Sequence, residues 1–354
     1  MAPRSSEAVP EADRLEGAPH PRETFELVGH AETERALLEA YKANRLPHAF
    51  IIGGEPGIGK ATLAWRLARF LLAHPDPATI QAAQDLAVDP HHPAARRIAA
   101  LSHSDLFLLR REWNEKTRRH FSEIRVDDVR QALHMFQRAA GAEGYRICIV
   151  DSADELNRSA ANALLKLVEE PPSRSLFLII AHRPALVLPT LRSRCRMLFL
   201  RPPSAAEILH VIDKLGEPRA DAEMRRTAAE RAQGSVSAAL RLLAEGGLER
   251  DKLVSRLLDD LPSVDWRAVH WLADAVTGRD KEAEFDRLMA SIIAWIDARL
   301  HSEAARGARR LAPLAEVWEK AAEAAREAEV MNLDKRPLIL SIFADLAAAR
   351  ALAA

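Results

Sequence analysis

The sequence predicts an α/β domain followed by an all-α half, and three observations lead there. From about residue 25 to residue 203, short apolar β-like runs alternate with amphipathic helical stretches, the rhythm of a parallel sheet. Those runs are almost continuously apolar, as strands covered on both faces must be. After Pro202 and Pro203 the strand signal ends, and Ala, Leu, Glu and Arg recur with a period of about 3.6 residues almost to the C-terminus. With 354 residues the chain has room for two or three domains, each with its own core.

Residues 1–24, "MAPRSSEAVPEADRLEGAPHPRET", hold no apolar signal core and predict a disordered cytoplasmic leader. Strands are predicted at 48–54 (HAFIIGG), 105–111 (DLFLLRR), 145–152 (YRICIVDS), 175–182 (SLFLIIAH) and 195–202 (CRMLFLRP). Helices lie between them, notably 61–73 and 159–170. The second is capped by Asn157 or Ser159 and stopped by Pro171 and Pro172. Residues 74–104 break the rhythm and read as an insertion within an α/β domain spanning 25–203. Its four histidines, His74, His91, His92 and His103, lack regular ligand spacing and read as surface residues. A small helical lid is expected at 204–246 and a helical C-terminal domain at 247–354, split at Gly246-Gly247. In the latter, Trp266, Trp271, Trp295 and Trp318 fit core packing or a subunit interface.

Between the first strand and its helix stands "GEPGIGKA", Gly54 to Ala61, which matches the phosphate-gripping spacing G-x-x-x-x-G-K-[ST] up to its last position. The glycines, Gly54, Gly57 and Gly59, let successive backbone N–H groups face phosphate oxygens, and the helix start adds its positive dipole end. Lys60 would reach the outer phosphates. Ala61 has no hydroxyl for Mg²⁺, and Thr62 stands one residue too far along. Asp151, after an apolar run, is the expected metal-positioning acid. Ser152 follows it and cannot act as an unaided base; Asp154 and Glu155 project from other points of the turn. ATP with Mg²⁺ is therefore expected to be bound weakly or vestigially, with little hydrolysis.

The stretches "RLPHAFIIGGEPGIGKATLA" (45–64), "IVDSADELNRSAANALLKLVEEPPSRSLFLIIAH" (149–182) and "LPTLRSRCR" (188–196) together resemble the clamp-loader subunits of bacterial DNA polymerase III, a family of the AAA+ class. The resemblance covers residues 25–203 well and the helical remainder only in general character. It implies a five-subunit ring that loads a sliding clamp onto primed DNA, with each active site completed at a subunit boundary. It also implies that the arginine of S-R-C, here Arg194, reaches the neighbour's nucleotide as a finger in trans. Ser237 takes the place of the lid arginine that hydrolysing relatives use, and Ala181-His182 the place of small polar sensors. The four-cysteine zinc module of many relatives is missing, so zinc is not implied.

The reading favoured on this basis is a non-hydrolysing stator; the alternative is a hydrolysing motor-type clamp-loader ATPase. A small-molecule P-loop kinase is disfavoured, because no acceptor pocket or lid arginine set is evident. A nucleotidyltransferase label would come through the holoenzyme, since no paired-carboxylate polymerase motif is visible. Charge adds little: 50 basic against 51 acidic residues leave DNA contact to local patches. Arg118, Arg119, Arg125 and Arg130 are candidates for one, or form a solvated face. No apolar run approaches the ~18 to 20 residues of a membrane span. The two cysteines, Cys148 and Cys195, read as reduced, buried small hydrophobes in a cytoplasmic protein.

Overall fold

Strand alternation explains why the five predicted strand runs are apolar throughout. In the computed structural model, β1 (Ala49–Gly53), β2 (Leu106–Leu109), β5 (Arg146–Val150), β6 (Ser175–Ala181) and β7 (Arg196–Phe199) form one sheet in the order β2-β5-β6-β1-β7. All of its pairings are parallel. Phe50, Ile52, Ile147, Ile149, Leu176, Leu178 and Ile180 enter the core on one face. Ile51, Cys148, Val150, Phe177, Ile179 and Ala181 enter the core on the other. In the central strands β5, β6 and β1 both faces are covered and no polar alternation is possible, whereas the edge strand β7 is partly exposed. The structure describes residues 9–15, 17–137, 144–216, 220–244, 246–278, 281–304, 307–331 and 334–353. They divide into two compact units, Met1–Leu243 and Ala244–Ala354.

In the first unit, α1 (Ala31–Lys42), α2 (Lys60–Ala73) and α3 (Pro93–Ala99) precede β2. Trp65, Leu67 and Phe70 of α2 and Leu38 of α1 build the first core. The excursion at 74–104 is packed rather than loose, because Ile80, Leu86 and Ile98 are buried in that same core. Its backbone is also tied down, with Leu86 N donating to Glu34 Oε1 at 2.8 Å while Glu34 pairs with Arg66 at 2.6 Å. A short antiparallel hairpin, β3 (Trp113–Asn114) and β4 (Arg119–His120), leads to α4 (Val126–Gln137).

α5 (Arg158–Glu169) lies between β5 and β6, and the one-turn α6 (Pro189–Arg192) precedes β7. Asn157 caps α5 as expected: its Oδ1 accepts from Ala160 N at 2.8 Å and its Nδ2 donates to Glu123 at 2.8 Å. Replacing it by alanine removes both bonds. Asn157→Ala is expected to lower the unfolding free energy of this unit by ~1 kcal/mol, read as a shift in urea midpoint. The unit ends with α7 (Ala205–Leu215), α8 (Ala222–Arg231) and α9 (Val236–Leu243). α7 starts in a capping box, Ser204 with Glu207.

The second unit is helical: α10 (Gly247–Asp259), α11 (Trp266–Val276), α12 (Glu282–Ser302), α13 (Ala308–Met331) and α14 (Lys335–Ala353). Leu257, Val269, Leu272, Ile292, Ile296, Phe343 and Leu346 form its core. Of its four tryptophans only Trp295 packs on this core; Trp266, Trp271 and Trp318 are exposed. Core packing therefore accounts for one of the four. Among the described residues, no helix is long and apolar enough to cross a membrane.

The segment expected to be a disordered leader is in fact structured over much of its length. A 3₁₀ turn, Pro21–Glu23, is capped by His20, which is fully buried. Upstream of it, Glu11 pairs with Arg22 at 2.7 Å and Arg110 at 2.9 Å, and Asp13 pairs with Arg110 and His20. These paired charges, rather than apolar residues, hold the segment, so hydropathy could not reveal it. Residues 1–8 and 16 lie outside the described part.

Candidate nucleotide-binding site

Parallel order puts the loop after β1 where the chain reverses direction across the sheet, between β6 and β7, and crevices form at the carboxyl ends of strands at such points. Gly54 to Gly59 make that loop, and Lys60 begins α2. Gly59 caps the helix at φ +101° and Gly57 turns at φ +79°, in left-handed conformations that glycine tolerates. At Gly57 the space is also filled. A Cβ there would stand 2.1 Å from Ser237 Oγ and 2.2 Å from Ser235 Oγ, and Val236 N donates to Gly57 O at 3.0 Å. The start of α9 is thus docked on the loop, with Ser237 at the point where the resemblance implies an arginine in hydrolysing relatives. On the other side His30 Nε2 meets Ile58 O at 2.6 Å.

Lys60 is buried, and its ammonium donates to Gly54 O at 2.5 Å and Glu55 O at 2.6 Å. The loop's own carbonyls hold the charge that a phosphate would take. Desolvation pulls the Lys60 pKa down to about 8, with Asp151, Asp154 and Glu55 resisting. Asp151 follows β5, its amide bonded to Leu109 O at 2.8 Å. Desolvation pushes its carboxyl up to about 7, reinforced by Asp13 and Glu155 and opposed by Lys60 and Arg110. Burial therefore moves both groups toward their neutral forms, leaving Asp151 about half ionised at pH 7 while Lys60 stays mostly protonated.

Beyond Asp151, Ser152 is buried and its hydroxyl has no hydrogen-bond partner among the described residues. The neighbouring acids are engaged elsewhere. Asp154 accepts from His182 N at 2.6 Å and Arg183 N at 2.8 Å, and Glu155 pairs with Arg111 at 3.0 Å. His182 itself is pushed down to about 4 by desolvation and by Lys60, so it is neutral at pH 7.

A cavity of about 450 Å³ opens beside the loop. It is lined by Gly57, Gly59, Lys60, Ala61, Thr62 and Asp151, with Leu27, Val28, Val211 and Leu215 as apolar walls. Its size and its lining of glycine-loop backbone, a lysine and apolar side chains fit a nucleotide. For Mg²⁺ the fit is incomplete: Ala61 offers no side-chain oxygen, and Asp151 is held near neutrality. Sequence reasoning missed Asp13, Arg14 and Leu15, which also line the cavity. The signal would have been the acid pair Glu11 and Asp13 facing later arginines, which a single sequence does not connect.

Arg194 is elsewhere. Its Nε pairs with Glu169 at 2.8 Å and its Nη1 donates to Thr190 O at 3.1 Å, with the side chain 43% exposed. Phe50 of β1 is level with Arg196, and the phosphate loop begins beyond Gly53, roughly 10 Å up the strand. Arg194 lies two residues further back, so it stands near the opposite end of these neighbouring strands from Lys60.

The basic residues considered for DNA are largely offset by acids. Arg125 pairs with Glu112 at 2.6 Å and Asp128 at 3.1 Å, and Arg130 pairs with Asp127 at 3.1 Å. Cys148 and Cys195 are free thiols that desolvation pushes up to about 12. His74 and His92 sit with ring centroids 6.1 Å apart. Among the described residues, no group of three or more His, Cys, Asp or Glu is placed to hold a metal.

The family described as "DNA polymerase III, delta subunit" matches residues 29–204. The chain is 31% identical over 251 residues to DNA polymerase III subunit delta' of Escherichia coli (strain K12), covering 67% of this chain and 71% of that one. To the delta' subunit of Pseudomonas aeruginosa it is 34% identical over 203 residues, covering 57% and 58%. To the gamma/tau subunit of Mycobacterium tuberculosis it is 30% identical over 177 residues, covering 49% of this chain but only 28% of that protein. Sequence likeness spanning more than two thirds of the E. coli subunit, on a parallel sheet with a phosphate-loop crevice, is enough to place the chain: it belongs to the DNA polymerase III delta' family.

Proposed function

We propose that this chain serves the clamp loader of DNA polymerase III as a stationary subunit, which holds nucleotide weakly or not at all and lends Arg194 to a neighbour. The single observation that carries the stationary reading is the surroundings of Asp151. The next residue is a buried serine, and each nearby carboxylate is committed to other groups, Asp154 to two backbone amides and Glu155 to Arg111. An oriented base commonly supplies ~10²- to 10⁴-fold of rate, and none is in place.

The position of Arg194 supports the second half. Being near the other end of the strands, it cannot serve the cavity of its own chain, whereas an exposed guanidinium held only by a surface pair with Glu169 can turn to a partner's phosphates. Other clamp-loader subunits are the implied partners, in a ring of five through which sliding clamp and primed DNA are engaged. The motor alternative is favoured by one observation, the intact loop with Lys60 in its crevice.

The purified chain separates the two. With ATP, Mg²⁺ and primed DNA, hydrolysis is expected to stay at background. Brisk turnover abolished by Lys60→Ala would establish the motor reading instead.

A further inference from the structure

The segment before the first helix borders the candidate nucleotide site in an unusual way. Ala12, Asp13, Arg14 and Leu15 line the same cavity as Lys60, Thr62 and Asp151. Two parts of this segment are fixed by different means. Residues 22–25 are anchored through the backbone: Arg69 of α2 donates to the carbonyls of Arg22 at 2.7 Å and Thr24 at 3.2 Å, and Arg66 donates to that of Phe25. Arg22 is fixed in turn by its Nε, which donates to Ala99 O at 2.9 Å.

Residues 9–15 have no such anchor. Their backbone hydrogen bonds, among the described residues, stay local, Arg14 N to Glu11 O and Ala18 N to Leu15 O. Their polar ties to the body are side-chain pairs: Glu11 with Arg22 and Arg110, Asp13 with Arg110 and His20, and Arg14 with Glu23. Between the two parts stands Gly17 at φ +78°, with open space around its α-carbon. Glycine has the widest backbone freedom of any residue, which suits a pivot at that point.

We propose that residues 9–15 are a latched lid on the phosphate-loop cavity, pivoting near Gly17, with Glu11 and Asp13 as the latch and Arg110 as the keeper that incoming phosphate competes for. The proposal rests on reading the cavity as a nucleotide site and adds how that site is gated.

Arg110 couples latch to cavity because it follows β2, whose Leu109 pairs with Val150, directly before Asp151. The latch residue Asp13 and Asp151 line the same cavity. Phosphates arriving at Lys60 would add negative charge beside Asp13 and Asp151. Like charges at short range in a partly desolvated cavity repel, while the same phosphates attract the Arg110 guanidinium. Both forces act to open the latch. His20 sharpens the closed state: its Nδ1 accepts from Arg22 N at 3.1 Å, and its Nε2 stands 3.0 Å from Asp13 Oδ2.

The test uses the full chain and two readouts. Amide hydrogen exchange without nucleotide is compared for wild type, Arg110→Gln and Glu11→Gln/Asp13→Asn, by mass spectrometry of peptides covering residues 9–24. A latch predicts roughly tenfold faster exchange at 9–15 in both variants, with residues 22–25 and the sheet unchanged. Stopped-flow binding of a fluorescent ATP analogue then reads the gate. Association and dissociation rates should both rise about fivefold or more in the variants, their ratio changing less than either. Unaltered exchange at 9–15 would overturn the latch. Faster exchange with wild-type association rates would make the segment a passive wall and overturn the lid. If neither wild type nor variants bound the analogue, the nucleotide reading would fall and the gate with it, and the exchange data would show separately whether the segment opens.

Discussion

In a reconstituted clamp loader, Arg194→Ala is expected to slow hydrolysis at the adjoining motor site by about 10³-fold while leaving assembly intact. The magnitude follows from what a guanidinium delivered in trans supplies to phosphoryl transfer, where charge spreads over the oxygens of the transferring group. The structure explains why the loss should be confined to chemistry. Arg194 is substantially exposed, and its pair with Glu169 is a surface ion pair, worth about 0–1 kcal/mol, so neither its removal nor its redirection toward a partner disturbs the fold much. Arg194→Lys should recover little, because an ammonium cannot reproduce the planar fork that meets two phosphate oxygens at once. Glu169→Gln releases the arginine and should leave turnover at or slightly above wild type. Because several motor sites in a ring would dilute the loss, the reading should be the amplitude of the DNA-triggered phosphate burst rather than steady-state turnover alone. A burst of unchanged size and rate from a fully assembled complex would remove Arg194 from the mechanism.

The sheet was legible in the sequence because double-sided burial leaves an uninterrupted apolar run, and each of the five predicted runs became a parallel strand. The phosphate loop was legible because glycine spacing, a strand before it and a helix after it are local properties. What stayed hidden depends on pairing across long sequence distances. Glu11 and Asp13 meet Arg110 almost a hundred residues later, and neither hydropathy nor local spacing encodes that meeting. The same holds for Asp154, which looks free in "DSADEL" but is consumed by the amides of His182 and Arg183. The burial of Ile80, Leu86 and Ile98 was equally unreadable, since a 3₁₀ turn, a loop and the two turns of α3 are each too short for a period to show. Composition did set useful limits, and the balanced charge is matched in the structure by arginines such as Arg125 and Arg130 that face acids.

Asp151→Asn is expected to stabilise the α/β unit at pH 8 by ~2 kcal/mol and to have almost no effect near pH 4. The sign follows from the raised carboxyl, at about 7 in the folded chain against 3.8 for the ordinary group. Below about pH 4 both folded and unfolded chains hold the proton, and no difference arises. As pH rises toward 7 the unfolded chain releases it while the fold retains it, so stability is lost progressively; above 7 the fold carries a desolvated carboxylate and the loss is complete. A carboxyl held that far above its ordinary value costs ~4 kcal/mol once ionised. About half of this is expected in the variant, because the asparagine amide put in its place is itself a buried polar group with a desolvation cost. Urea midpoints of the two proteins at pH 4, 6 and 8 provide the measurement, with the α/β unit followed by amide exchange because two units need not unfold together. Equal differences at every pH would show that Asp151 is not held protonated. A gap that widens from pH 4 to 8 would tie the site's chemistry to its burial, because an acid that is neutral half the time at pH 7 is a poor anchor for a divalent cation. The same desolvation that costs stability would thereby weaken metal binding at a phosphate loop that keeps its shape, as the proposed stationary role requires.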